Sequence, residues 1–183
     1  MSLPETMKAV ILPAPGKMAL SRKPVPRPGP EEVLVQVAGC GICGTDIKIR
    51  DHGLPGQPPF GSFTPGHEYA GTVVAVGETV DEFTIGDRVV VHAHKGCDRC
   101  ENCLRGMYTA CLNYGNAAKG HRCNGITTDG GLAGYALNHV NTLYKIPENV
   151  SFEEAIVITT AGSPLYGLEN TGGYIVGETV AVL

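Results

Sequence analysis

The run Gly66-His67-Glu68-Tyr69-Ala70-Gly71-Thr72-Val73-Val74-Ala75-Val76-Gly77 decides how this chain is read. Residues 69–76 are mostly β-branched, aromatic or small, and glycines close the run at both ends, so they read as a buried strand. Pro65-Gly66 sets a turn ahead of it. His67 therefore stands at the head of a strand, where an imidazole projects from a well-anchored element. Working outward, Val33, Val35 and Val37 alternate with Leu34 and Gln36 in a second, mostly buried strand. Residues 8–12 read as a first strand, 87–91 as one that follows the turn at Gly86, and 132–137 and 142–146 complete the set. The 25 glycines and 13 prolines are scattered, which suits short strands joined by tight turns. Residues 51–65 are too long and too polar for a hairpin and read as a functional loop.

Four cysteines, Cys97, Cys100, Cys103 and Cys111, follow in the order C-x2-C-x2-C-x7-C. Thiolate is the soft anionic donor that zinc prefers, and a closed structural site takes four donors from a short segment. The residues between them are polar and Gly96 and Gly106 supply turns, so nothing here reads as an apolar element. The alternatives are two disulfides or unliganded thiols. With all four corners filled, such a zinc is structural and has no position for substrate.

Composition narrows the class. At 183 residues, with 43% hydrophobic content and mean hydropathy near zero, the chain holds one substantial domain and little more. Fourteen basic against 18 acidic residues, net charge −4, give no cationic face for nucleic acid. No run is long and apolar enough to span a membrane, since residues 155–168 are interrupted by Gly162 and Pro164. No basic segment followed by an apolar one opens the chain, and seven cysteines then favour a reducing, cytoplasmic setting.

From Ser151 the texture changes. Ser151-x-x-Glu154 is a capping box, and the apolar run behind it reads as a helix broken near residues 162–164. A turn at Gly172-Gly173 precedes residues 178–183, a short buried-strand pattern. An apolar strand with nothing to cover it reads as the first strand of a further domain, and the chain as a fragment.

Cys43 and His67-Glu68 lie apart from the four-cysteine cluster. Cys43 opens a short segment, residues 44–48, of one or two helical turns. One thiolate and one imidazole from separate elements are what a catalytic zinc with an open corner uses. The spacing Gly66-His67-Glu68-x2-Gly71-x5-Gly77-x2-Val80 resembles the signature of the zinc-dependent alcohol dehydrogenases, in the medium-chain dehydrogenase/reductase family. Gly41-Ile42-Cys43-Gly44-Thr45-Asp46 resembles the family's first zinc-ligand motif. Gly86-Asp87-Arg88-Val89, the four-cysteine lobe and Gly130-Gly131-Leu132-Ala133-Gly134-Tyr135 follow in the family's order, so the resemblance runs from about Lys8 to Leu183.

The resemblance implies a mainly β fold: a GroES-like, partly open β-barrel over residues 7–150, with a zinc-binding lobe over about 94–112 and a few short helices. Residues 151–183 would be a connecting helical segment and the first strand of a Rossmann domain. It implies an oxidoreductase that moves hydride between an alcohol or polyol and NAD or NADP, with a small-molecule substrate, no nucleic-acid or membrane partner, a homo-oligomeric full-length enzyme, and no activity for the fragment alone. Cys43 and His67 match zinc ligands, Thr45 the hydroxyl that relays the alcohol proton, and Asp46 a carboxylate that orients His67. Capping the helix at residue 45 is the structural alternative for Thr45.

Two positions depart from the family pattern. The relay histidine three residues past the hydroxyl is Lys48 here. The third zinc ligand, a Cys, Asp or Glu six or seven residues before the position of Tyr166, falls on Thr160 and Thr159, neither an adequate ligand. Glu68 is the substitute, completing Cys43, His67 and Glu68. The remaining histidines read as non-ligating: His92 and His94 on or past a strand with His94 at the lobe surface, His52 in the long loop, His121 beside Cys123 in a polar loop.

One motif misleads. Residues 39–44 fit G-x-G-x-x-G after a strand, but no crossover helix and second parallel strand follow, so no dinucleotide fold forms there. Cys40-x-x-Cys43 fails as a redox pair for the same reason, leaving Cys40 as a small buried residue. The competing functions are a zinc-free reductase of the same superfamily and a zinc-stabilised binding module or ring subunit. The number of zinc ions per chain separates them.

Overall fold

The computed structural model describes residues 3–173, together with 177 and 179. The expected strand at 178–183 lies outside the described residues. Five strands form one antiparallel sheet in the order β8-β3-β4-β5-β9: β3 (Glu32–Cys40), β4 (Tyr69–Val76), β5 (Arg88–Val91), β8 (Tyr135–His139) and β9 (Leu143–Lys145). A hairpin of β1 (Thr6–Ile11) and β2 (Ala19–Pro24) and a small pair, β6 (His94–Lys95) with β7 (Arg122–Cys123), complete the strands. The curled sheet is the partly open GroES-like barrel that the motifs imply.

Strand alternation decides what each face buries. Val33, Val35, Val73, Val89 and Val91 point to the interior with Tyr69, Phe83 and Leu143. Ala70 and Val90, on the opposite face, pack with Ile146 and Ala155. Tyr69 is fully buried, and its hydroxyl donates to Asn138 Oδ1 (2.6 Å) and accepts from Asn124 Nδ2 (2.9 Å), so the phenol costs no unsatisfied group. Gly131 lies against this ring: a Cβ there would stand 2.2 Å from Tyr69.

Helix α1 (Gly44–His52) follows β3 and buries Ile49 with Leu12, Phe63 and Cys123. A single turn, α2 (Glu101–Leu104), lies in the cysteine lobe. Helix α3 (Phe152–Asn170) starts at the expected capping box, Ser151 N donating to Glu154 Oε2 (2.8 Å) and Glu154 N to Ser151 Oγ (3.2 Å). It is not broken. Pro164 lies inside one continuous helix, since a proline removes one backbone donor and the turns on either side keep theirs.

Two strand assignments change. β8 begins at Tyr135 rather than at 132, because residues 130–134 are bound elsewhere: Val10 N donates to Leu132 O (2.8 Å) and Gly134 N to Lys8 O (2.9 Å). β2 is absent from the sequence reading because its side chains are half-buried or exposed, Leu20 at 69%. β1 alone holds it.

Candidate metal centres

The β3–β4 register builds the cleft. Cys40 pairs with Tyr69, and the pairing continues past the strand ends, Gly41 N donating to Glu68 O at 2.7 Å. The residues immediately beyond, Cys43 on one side and His67 on the other, are thereby delivered to one place: Cys43 Sγ and His67 Nε2 face each other at 3.1 Å. Gly66 makes the approach possible. Its φ of +97° suits glycine, and a Cβ would stand 2.8 Å from both Cys40 Sγ and Leu132.

Cys43, not Thr45, caps α1. Its Sγ accepts from Thr45 N (3.3 Å), and its own amide donates to Asp46 Oδ2 (2.9 Å), a reciprocal capping box. Asp46 is 1% exposed and its other oxygen accepts from Gly66 N (3.2 Å) and lies 3.5 Å from His67 Nδ1. Burial opposes its charge, but His67 and the amides of Cys43 and Gly66 outweigh burial and hold the carboxyl below its usual range. Burial likewise opposes charge on His67, and Asp46 and Cys43 together raise its pKa. Both Asp46 oxygens are engaged by backbone amides, and His67 Nδ1 is buried with the carboxylate at 3.5 Å but makes no hydrogen bond. The Cys43, Asp46 and His67 donor atoms all lie within 4.8 Å of one another.

Glu68 Oε1 lies 4.0 Å from His67 Nε2. Its other oxygen lies over Gly41, where a Cβ would come within 2.9 Å of it, so Gly41 leaves room for the carboxylate beside the cleft. Thr159 is committed elsewhere, its hydroxyl donating to Val91 O (2.9 Å). Lys48 and Tyr166 are exposed, and His52 ends α1.

In the lobe, Cys97, Cys100, Cys103 and Cys111 are all free thiols with sulfur atoms within 4.8 Å of one another. The Cys97–Cys103 and Cys100–Cys111 separations are 4.0 and 3.9 Å. A zinc tetrahedron with Zn–S of 2.3 Å has sulfur–sulfur edges of about 3.8 Å, and a disulfide requires about 2.05 Å. The set fits zinc and not disulfides. Hydrogen bonding from Asn113 Nδ2 (3.1 Å) leads in pulling the Cys97 thiol down to about 6, while desolvation pushes Cys103 up to about 12. Four sulfurs this close cannot all ionise without a cation to offset them.

Of the residues placed at the lobe surface or in the polar loop after it, two are interior and one is half-buried. His121 and Cys123 are 1% and 0% exposed, and His94 is half-buried with its Nδ1 enclosed and unpartnered. His94 Nε2 lies 3.6 Å from Cys123 Sγ, and the rings of His94, Tyr114 and His121 follow one another at 6.3 and 4.6 Å. His121 Nδ1 accepts from Gly115 N (3.0 Å), which assigns its proton to Nε2 when neutral. Polar neighbours in sequence hid this burial, because it arises when β7 brings the end of the lobe back to β6.

A partly open barrel carrying a thiolate–imidazole cleft and a four-cysteine lobe is the architecture of the GroES-like domain of the zinc-type alcohol dehydrogenase family. The chain belongs to that family: residues 29–148 match the alcohol dehydrogenase GroES-like domain. It is 32% identical to sorbitol dehydrogenase of Bacillus subtilis over 100% of this chain and 50% of that protein. It is similar to a cobalt- and zinc-bound thermostable alcohol dehydrogenase from Pyrobaculum aerophilum (31% identity, TM-score 0.73, 84% of this chain and 45% of that one). A short chain alcohol dehydrogenase of Escherichia coli CFT073 complexed with NADH aligns at 30% identity and TM-score 0.76, covering 90% and 46%. The chain spans about half the length of the curated relatives it matches.

Proposed function

We propose that this chain is the catalytic domain of a zinc-dependent dehydrogenase that transfers hydride between an alcohol or polyol and NAD or NADP. The observation that carries the reading is the approach of Cys43 Sγ to His67 Nε2 at 3.1 Å, with Asp46 behind the imidazole and Glu68 beside it. Cys43, His67 and Glu68 would hold the catalytic zinc, and Cys97, Cys100, Cys103 and Cys111 the structural one. Bound zinc supplies Lewis acidity that lowers the pKa of a substrate hydroxyl, and the nicotinamide supplies the hydride chemistry. Within the chain, Asp46 keeps the His67 ring turned so that Nε2 faces the cleft. Thr45, in the first turn of α1 and half-buried, offers the hydroxyl to which an alcohol proton would pass. Lys48 is exposed on the same helix, so a proton released at Thr45 would leave by water or Lys48.

Residues 7–150 form the catalytic domain in this reading, and 151–183 lead into a nucleotide-binding domain that supplies the hydride acceptor. The fragment by itself is then inactive, the full-length enzyme is a homo-oligomer, and the compartment is the cytoplasm. Among the described residues no helix is long and apolar enough to cross a membrane. Metal analysis of the purified chain tests the site: two zinc ions per chain are expected, and one after Cys43→Ala. A single zinc in the unaltered chain, insensitive to Cys43→Ala, would turn the reading to a zinc-free reductase or a binding module.

A further inference from the structure

The segment that delivers His67 is bracketed by two carboxylates, and only one of them belongs to the cleft. Residues 64–66 lie under a strap formed by residues 129–132. Gly130 N donates to Thr64 O (2.8 Å), Leu132 N to Pro65 O (3.0 Å) and Gly131 N to Gly66 O (2.8 Å). The two amides of this segment go to side chains. Gly66 N donates to Asp46 at the exit, and Thr64 N donates to Asp129 Oδ1 (2.9 Å) at the entry. Pro65 has no amide hydrogen, so every backbone donor of the segment is held by a carboxylate.

Asp129 is itself held. Its Oδ2 pairs with Lys23 Nζ, which also donates to Ser62 O (2.8 Å) and Thr64 Oγ1 (3.2 Å). Lys23 comes from the end of β2, more than forty positions before His67, and its side chain is 15% exposed. A surface lysine–carboxylate pair contributes little through charge alone. Here one bond between the two side chains and three from them to residues 62–64 tie three segments together, and Thr64 is 1% exposed. Three residues of backbone with no remaining free donor separate this latch from the imidazole.

We propose that Lys23 and Asp129 are positioning residues for the metal cleft: a latch that fixes the 64–66 segment, and through it the place of His67 relative to Cys43. The inference rests on the cleft reading above, since a latch for His67 has a catalytic meaning only if His67 binds metal. It also explains why β2, which buries little of its own surface, is retained beside β1.

Cobalt(II) titration of the purified 183-residue chain tests it, because the thiolate-to-cobalt and d–d bands report ligand geometry, and a Cys43→Ala control assigns the cleft's share of the spectrum. Asp129→Ala should weaken cobalt binding in the cleft by about tenfold, the low end of what losing an outer support costs a metal site, and shift its d–d bands. The four-cysteine lobe should be unaffected. Asp129→Asn, which keeps the acceptor for Thr64 N, and Lys23→Arg should restore most of the affinity. Should Asp129→Ala fail to fold, Lys23→Met leaves Thr64 its acceptor and carries the same expectation in smaller measure. Equal weakening of both metal sites, or a lowered melting temperature with cleft affinity and bands unchanged, would reduce the latch to a general stabiliser and overturn the proposal. If the unaltered chain binds no cobalt in the cleft, the functional reading fails. Amide hydrogen exchange then decides the latch alone: faster exchange at Thr64 and Gly66 in Asp129→Ala supports it, and unchanged exchange there refutes it.

Discussion

The two cysteine sites of this chain are built in opposite ways. The lobe takes all four donors from residues 97–111, and its short helical turns, α2 and residues 108–110, bury no side chain. Leu104 and Leu112 are 73% and 66% exposed. The cleft takes Cys43 from a helix cap and His67 from a strand entry, 24 positions apart, and the surrounding barrel sets their distance. In the proposed reading the lobe's metal would make the structure, because little apolar surface is buried there to offset the entropy of ordering the loop. In the cleft the structure makes the site, and on the proposed reading metal occupancy would be set by the few donors the scaffold offers.

The largest consequence falls on the lobe. Structural zinc in small cysteine sites contributes about 10–16 kcal/mol to folding of its own segment. Cys103→Ser should therefore lose one metal ion per chain and abolish hydrogen-exchange protection over about residues 94–112. The five-stranded sheet should stay protected, since its core of Val33, Val35, Val73 and Val89 contains no lobe residue. Loss of protection throughout the chain would show that lobe and barrel fold as one unit and erase the contrast.

A smaller effect separates the sites by affinity. Four thiolates hold zinc more tightly than one thiolate, one imidazole and a carboxylate that stands 4.0 Å from its neighbour's ring nitrogen. A mild chelator should strip the Cys43/His67 metal before the lobe metal. Glu68→Gln should lower cleft occupancy further, by about tenfold or more, with the lobe untouched. Zinc release followed against a chelating dye measures both. Simultaneous release, or earlier loss from the lobe, would reverse the ligand assignment.

This same contrast explains what could be read from the sequence. The grouping of Cys97, Cys100, Cys103 and Cys111 was legible, because the cysteines, turns and polar spacers are contiguous. Cys43 and His67 could be singled out too, from the Gly66-His67-Glu68 and Gly41–Asp46 motifs, and β4 was legible, its limits at residues 69–76 following from its β-branched run. Their meeting at 3.1 Å was not, because it depends on the β3–β4 register and on a φ of +97° at Gly66. Lys23 and Asp129 carried no signal at all, being one charged residue in an exposed strand and another in a Gly-rich turn. His121 and Cys123 were misread since Lys119, Arg122 and Asn124 surround them, and only the β6–β7 pairing turns them inward.

A different kind of effect is expected at His94, which is not one of the proposed metal donors. Burial, followed by the neighbouring histidines His92, His121 and His67, pushes its pKa down to about 4 from 6.5. Between those values the unfolded chain binds a proton that the folded chain refuses, so stability is full above pH 6.5 and is lost as pH falls toward 4. A shift of that size corresponds to at most about 3 kcal/mol, reduced by the solvent that reaches a half-buried ring. Acid also releases thiolate-bound metal, so the melting temperature of the unaltered chain mixes two causes. His94→Asn removes only one of them. It should leave the lobe's zinc content at each pH unchanged while flattening the fall in melting temperature between pH 6.5 and 4. If the two chains fall in parallel, the acid sensitivity belongs to the metal sites alone, and the rings of His94, Tyr114 and His121 contribute packing without a titrating charge.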